Sequence, residues 1–479
     1  MSISSALNSA LSGLTAASRA SGIVSDNLAN VMTPGYARRS LELSSATETG
    51  PGVQVVGVHR HRDPVILSDR RSADAEQGNA QVLSDFYSRL ESLVGTGTDT
   101  SSLSMRLAEF ESSLITAASS PESTQRLDAV SYAANDVVAA INDAAEGLRS
   151  MRTQADTSIG TQVEQLNQTL GNVQKLNARI TSTLSTGGDV SALQDQRQSL
   201  VDQINTIVPI NVVERDYGQI ALYTDGGAIL IDGPAAELGF SPASDTVPEM
   251  TLSGGGLSGL TINGIFVSER AIAGGTLAAN FQIRDDAAVS AQAELDAMAR
   301  DLIERFETVT LDPTTAAGEP GLFTDAGSAF DPANETGLAN RLSLNDLVDP
   351  TEGGESWRLR AGLGATDAGE SGDARQLQAF TAILQEGRTT GSSVFGTGLA
   401  SAADIVSDLT SRVALNSDRA TGILTFASAN QTEMARIEAA QGVDTDAELQ
   451  QLMIVERAYA ANAKMIQTID EMMETLLGL

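Results

Sequence analysis

Two histidines, His59 and His61, stand in the motif HRHRD at 59–63 and are the only ones in the chain. On a strand, residues i and i+2 project from one face, so the pair has the spacing of two metal ligands. There is no cysteine to join them, and arginines flank both. The motif therefore reads as a charged strand edge. Sixty-two Asp and Glu side chains guarantee close carboxylate pairs by chance. Acid–base work needs an apolar pocket that splits two pKa values, and no segment supplies one. DPANETG (331–337) has the oxygen ligands of a calcium loop without the spacing or closing glutamate of an EF-hand. SGGGLSG (253–259) lacks Lys or Thr in phosphate-loop register and reads as a hairpin turn, and no G-x-S-x-G is present. The sequence thus assigns no catalytic residue, no metal ligand and no cofactor site.

Composition narrows the partners. A formal net charge of −32 over 479 residues repels phosphate backbones and anionic lipid heads, which argues against nucleic acid and membrane surfaces. Without cysteine, disulfides and thiolate chemistry are excluded. Aromatics make up 4%, with Trp357 the single tryptophan, so the chain suits helices packed through small side chains and not a deep aromatic pocket. No run of 18 apolar residues occurs, so no membrane insertion is expected. The first basic residue is Arg19, and no compact apolar block precedes it, so a cleaved secretory signal is not expected either.

The elements carry more information than the candidate chemistry. Counted in sevens, Ile3, Ala10, Ala17, Val24 and Val31 form one row, and Leu7, Leu14, Ser21 and Leu28 another. This is the 3-4 repeat of a coiled-coil seam, and Thr33-Pro34-Gly35 stops it. The other end of the chain repeats the pattern. Leu452, Tyr459, Ile466 and Met473 form one row, and Val455, Asn462, Ile469 and Leu476 the second, behind the capping residues Asp444-Thr445-Asp446. Both helices are too lean to stand alone, so they are expected to pair. Further helical rhythm runs over 120–148, with Ser120 as N-cap and Pro121 in the first turn, then over 159–184, 190–207, 289–309 and 405–437. Between Pro209 and Arg284 the period falls to two, in INVVERD, GQIALYT, AILIDG and LTINGIFVSE, which predicts an antiparallel β module. Residues 311–373 are rich in Gly, Asp, Pro and Thr and read as irregular, with SWRLRAG (356–362) as a short strand.

The N-terminal stretch SALSGLTAASRASGIVSDNLANVMTPGYARR (9–39) resembles the signature of bacterial flagellar axial proteins, the rod, hook and hook-associated components. Asn27, Asn30, Thr33, Pro34, Gly35 and Tyr36 match the pattern N-N-I-A-N-x-N-T-P-G-Y, with Asp26 and Met32 departing from it. DTDAELQQLMIVERAYAANAKMIQTIDEMMETLL (444–477) looks like the partner helix. GPGVQVVGVHRHRDPVILSDRRSADAEQG (50–78) and LQDQRQSLVDQIN (193–205) are most similar to the hook-associated members. The likeness covers roughly the first 285 and last 80 residues and does not reach 310–375.

The resemblance implies a structural protein, not an enzyme, forming a ring at the junction of hook and filament. Its implied partners are further copies of itself, the hook protein, the next hook-associated protein and an export chaperone at the C-terminal helix. Its implied location is extracellular, on the flagellum, after export by the flagellar type III apparatus. The expected interface is Leu7, Leu14, Val24 and Leu28 with Leu452, Val455, Tyr459, Ile466, Ile469, Met473 and Leu476. The expected fold is mainly α, a long antiparallel helical rod with an inserted β module at its distal tip and the terminal helices paired as a coiled coil. The parts are a terminal assembly domain (1–40, 443–479), a rod (41–208, 286–310, 374–442), a β module (209–285) and a loop-rich outer segment (311–373). Other readings are a different axial protein of hook or distal rod, a cytoplasmic coiled-coil scaffold, or an axial protein with an enzymatic insert.

Overall fold

The computed structural model describes residues 3–33, 35–45, 52–96, 99–308 and 310–478. Pro34 of the signature turn and Val309, the expected end of a helix, lie outside the described residues.

Helix α1 (Ile3–Ala29) leads into an antiparallel hairpin, β1 (Arg39–Ser45) and β2 (Val53–Arg60). Asp63 then caps α2 (Pro64–Val94) by accepting from the Val65 amide at 2.9 Å, with Pro64 at the first helical position, where its missing N–H costs nothing. After α3 (Leu103–Ala118), the two helical runs expected over 120–184 form a single helix, α4 (Thr124–Ser185). Its 62 residues span about 93 Å. Ser123, not Ser120, occupies the N-cap position, and Ser120-Pro121 sit in the preceding turn. Thr186 and the left-handed Gly187 close the helix where Gly187-Gly188 was expected to break it.

Helix α5 (Ser191–Ile207) precedes the β module. The module contains one three-stranded sheet, β3 (Ile210–Glu214), β4 (Ile220–Thr224) and β5 (Ile229–Ile231), and a smaller one, β6 (Leu238–Gly239), β7 (Thr261–Ile262) and β8 (Ile265–Phe266). SGGGLSG lies in the long connection between β6 and β7 and is not the tip of a hairpin. The return helix starts earlier than expected. It comprises α6 (Gly275–Gln282), a π-turn over Ile283–Ala287, and α7 (Ala288–Phe306). The π-turn presents Arg284, fully buried, to Asp156 of α4 at 2.7 Å and to the faces of Phe240 and Phe281.

The module is not at a distal tip. It lies along the C-terminal half of α4. Asn177 Nδ2 donates to the Ile220 carbonyl, Asn167 Nδ2 to that of Leu238, and Arg197 of α5 to that of Gly218. One core joins Ile159, Val163, Leu166, Leu170 and Val173 to Val201, Ile204, Leu222, Ile231 and Leu277. The sheets are too small to bury their faces alone and use the helices instead. Pro209 packs on Gly274, so the start of the strands meets the start of the return helix.

The segment 311–373 is not an outward-facing loop. It folds as β9 (Phe323–Asp325), α8 (Leu338–Arg341), β10 (Leu342–Leu344) and α9 (Arg358–Ala361), so SWRLRAG holds a helical turn and no strand. Leu322, Phe323, Leu338, Leu342, Val348, Leu359 and Leu363 are buried in a second core with α3, the first half of α4, and α7. The chain then passes through α10 (Arg375–Gln385), the short pair β11 (Arg388–Thr389) and β12 (Leu399–Ala400), and α11 (Ala402–Ala440), opened by a Ser401–Asp404 capping box. Its buried residues include Ile405, Leu409, Val413, Ser417, Ala420 and Ala427, while Ile423 is exposed. Last comes α12 (Thr445–Leu477), capped by Asp444 through the Asp446 and Ala447 amides.

Candidate assembly site

Helices α1 and α12 pair antiparallel. Gly13 faces Asn462, and Arg38, past the end of α1, donates to Glu448 near the start of α12 at 2.8 Å. A Cβ built on Gly13 would stand 2.6 Å from the Asn462 amide nitrogen, so the two backbones approach closely here. Each helix buries mainly one of its two rows. On α1 the deep residues are Ala10, Ala17 and Val24, joined by Ala16; Leu14 and Leu28 are half-buried, and Leu7 is exposed. On α12 Val455 and Ile469 are buried and Leu452 and Ile466 half-buried. Tyr459, Met473 and Leu476 remain 44%, 44% and 59% exposed. Val31 lies beyond α1 and is exposed.

The signature residues build a clasp below α1. Asn27 is fully buried. Its Nδ2 donates to the Arg39 carbonyl at 2.9 Å, and its Oδ1 accepts from the Arg39 amide at 3.0 Å and from the Tyr36 hydroxyl at 2.8 Å. One side chain thus binds the end of α1 to the first residue of β1, using three of its four hydrogen-bonding positions. Asn30 and Thr33 shape the turn: Asn30 Nδ2 donates to the Asp26 carbonyl and Thr33 Oγ1 to Asn30 Oδ1. Gly35 has φ of +80°, a conformation in which a side chain is strained. The Arg39 guanidinium lies 4.7 Å from the Tyr36 ring centre. Burial raises the Tyr36 phenol above its ordinary pKa, which keeps it a donor to Asn27. The hairpin packs on this body, with the Val53 amide donating to Ser12 Oγ on α1.

Around the clasp, arginines meet the few carboxylates that face them. Arg39 and Arg60 both bind Asp195 of α5, at 2.6 and 2.5 Å. Arg62 donates to the Gly35 carbonyl at 3.2 Å, and burial followed by the charge of Arg60 pushes its pKa down to about 10. Arg70 and Arg71 of α2 share Asp202 of α5, and Arg70 also reaches Glu438 of α11. The interface pattern read from heptads contains none of these residues. Their signal was the density of arginine in YARR and HRHR within a strongly acidic chain.

His59 and His61 lie side by side, ring centres 4.7 Å apart, and His61 Nε2 is 2.8 Å from Ser40 Oγ. Burial, and then His59, lowers the His61 pKa. Among the described residues no group of three or more His, Asp or Glu could hold a metal ion, and no helix is long and apolar enough to cross a membrane.

Three family models match the chain. The flagellar hook-associated protein FlgK helical domain covers residues 87–323, the flagella basal body rod protein covers 7–36, and the flagellar basal body rod FlgEFG C-terminal region covers 439–479. The chain is 30% identical over 285 residues to flagellar hook-associated protein 1 of Salmonella typhimurium, an alignment covering 54% of this chain and 51% of that one. It therefore spans about half the length of that relative. It is 23% identical over 508 aligned positions to flagellar hook-associated protein 1 of Bacillus subtilis, covering 98% and 97% of the two chains. Among solved structures, the flagellar hook junction protein FlgK from Burkholderia pseudomallei gives a TM-score of 0.44 at 18% identity, over 54% of this chain and 47% of that one.

Proposed function

This chain belongs to the FlgK-like branch of the flagellar axial family, and from that premise we propose that it is a structural component joining hook to filament. Copies of the chain form a ring through their terminal helix pairs. One neighbour in the axial structure is the hook protein, the other the next hook-associated protein. The chain reaches this extracellular position through the flagellar type III apparatus, and before export a chaperone covers α12. It carries out no catalysis.

The observation that carries this reading is the half-covered terminal pair. Each helix has two apolar rows, and the intramolecular contact covers mainly one. Leu7 and Leu11 on α1 and Met465, Met472, Met473 and Leu476 on α12 stay open to solvent. A face of this kind, placed on two paired helices, calls for further apolar cover. Small and flexible residues let several helices repack against it. The expected interface residues thus divide into an inner set, Leu14, Val24, Leu28, Leu452, Val455, Ile466 and Ile469, and an outer set, Leu7, Tyr459, Met473 and Leu476. The inner set closes the hairpin and the outer set meets other copies.

The test uses the outer set. Leu7→Asp and Met473→Asp place a carboxylate where it is solvated in the monomer and buried in the ring. Filament attachment is expected to fail in cells, while the purified variants melt like the parent protein. Normal filaments on cells carrying both substitutions would refute the assembly role of this face.

A further inference from the structure

Where the terminal body meets the rod, one carboxylate, Asp195 of α5, binds two guanidiniums of the hairpin. The chain crosses between them through two short connections, 61–63 and 441–444. Arg39 and Arg60 are direct cross-strand partners at the first rung of the hairpin, where two like charges repel. Both point at Asp195, and all three side chains are largely buried, between 12% and 16% exposed. Arg197, two residues further along α5, is held by Asn177 Oδ1 and the Gly218 carbonyl. Burial and then the charge of Arg60 lower its pKa to about 10, against the raising effect of Glu214. Beside this cluster a cleft of about 1220 Å³ separates Gly22, Ile23 and Asp26 of α1 from Leu184 and Asp189 of the rod.

We infer that Asp195 is a latch that sets the angle between the terminal helix pair and the rod. One negative charge neutralises two guanidiniums carried by the terminal body and shields them from a third on the rod. Without it, Arg39 and Arg60 face Arg197 across the boundary, and Glu214 is the carboxylate left to act on Arg197. Opening the cleft lets water take the place of the carboxylate. A single residue outside both terminal helices then decides how those helices are presented, independently of what they assemble with.

The chain has no cysteine, so Ser25→Cys on α1 and Ser185→Cys at the end of α4 give one labelled pair across the cleft mouth. Spin-label distances on the full-length protein should form a narrow distribution. Asp195→Asn should shift it to longer distances and broaden it, and Asp195→Glu should restore it. Arg39→Gln with Arg60→Gln should shift it less than Asp195→Asn, because the repulsion leaves with the arginines. Asp202→Asn is the control, since Asp202 binds Arg70 and Arg71 inside the rod; it should lower rod melting without moving the labels. The inference is overturned by an unchanged distribution in Asp195→Asn. A parent distribution already as broad as that of the variant, or equal opening in Asp202→Asn, would also overturn it.

Discussion

The far core and the terminal pair are both helical, yet they are held by different means. In the far core Phe323 touches Phe110 and Phe306 edge-on at 5.7 and 5.2 Å, and Phe306 touches Phe380 at 5.3 Å. All four rings are buried, together with leucines from α2, α3, α4, α7, α8, α9, α10 and α11. The terminal pair buries Ala10, Ala16 and Ala17 on one side and single residues such as Val455 and Ile469 on the other. Burial of apolar area sets most of a helix's stability, so the first region is fixed in the monomer and the second is left adjustable. The proposed assembly through the ends calls for this division. The rod must keep its shape while the ends exchange solvent for neighbours.

The division can be broken most strongly at Phe323. Phe323→Ala removes the ring at the centre of the aromatic cluster and should cost about 3–5 kcal/mol of rod stability. Denaturant unfolding followed by far-UV circular dichroism would measure it. Cutting out 311–373 should leave no folded rod at all. Excising 209–285 should also fail, although the start of the strands meets the start of the return helix, because the cut strips Ile159, Val163, Leu166 and Leu170 of their cover. Cooperative melting of either deletion at the parent temperature would show that these segments are outer appendages.

A buried carboxylate sharpens the contrast. Asp296 accepts from the Gly337 and Ala339 amides, both at 2.8 Å, and from Gln292 at 2.9 Å, and so caps α8 inside the far core. Burial outweighs these three bonds and pushes its pKa up to about 6 from 3.8. The folded state therefore holds the proton more tightly than the unfolded state. Its contribution to stability is complete below the unfolded value and falls as pH rises towards 6, by about 3 kcal/mol in total. Other carboxylates in the chain have lowered pKa values and give the opposite slope, so the readout is a difference. Between pH 4 and 6.5 the gap between parent and Asp296→Asn stabilities should change in the variant's favour as pH rises. A constant gap would show that Asp296 is ionised throughout.

What was legible in the sequence follows the same line between the two regions. Heptad rows located both terminal helices, because their period survives even when the seam is thin. The alternating runs located β3, β4 and β5 to within two residues and the β7–β8 pair, and missed β6 at Leu238–Gly239. The far segment was misread because its buried residues, Leu322, Phe323, Leu338, Leu342, Leu344, Val348, Leu359 and Leu363, keep no period. Each is placed by a turn, and turns look alike whether they are covered or bare. Which of two rows a lean helix buries was not legible either, since Leu7 and Leu14 have the same type and register. Asp195 was out of reach altogether. It lies 156 residues from Arg39 and 135 from Arg60, and no local pattern joins positions so far apart.

The clasp gives a smaller effect confined to the ends. Asn27→Ala leaves the Arg39 amide and carbonyl and the Tyr36 hydroxyl without their buried partner, at a cost of about 2 kcal/mol. The loss should appear as faster hydrogen exchange over α1 and β1 while the rod's melting stays put. If the rod melts earlier too, the ends and the rod are one cooperative unit and the contrast drawn above fails.

The smallest expected effect tests how closely the two terminal helices approach. At Gly13 an added Cβ meets the end of the Asn462 side chain and no backbone, so Asn462 can turn aside. Gly13→Ala also gains helix propensity, by about 1 kcal/mol in an exposed helix. The two terms nearly cancel, and the single variant should shift protection of α1 by less than about 1 kcal/mol in either direction. Removing the obstruction separates them. In Gly13→Ala with Asn462→Ala the contact is gone and the propensity gain remains, so the double variant should be more protected than the sum of the two singles allows. Strict additivity in that cycle, read by hydrogen exchange along α1, would mean that residues 13 and 462 do not touch in solution. The antiparallel register of the pair would then be wrong by at least one turn.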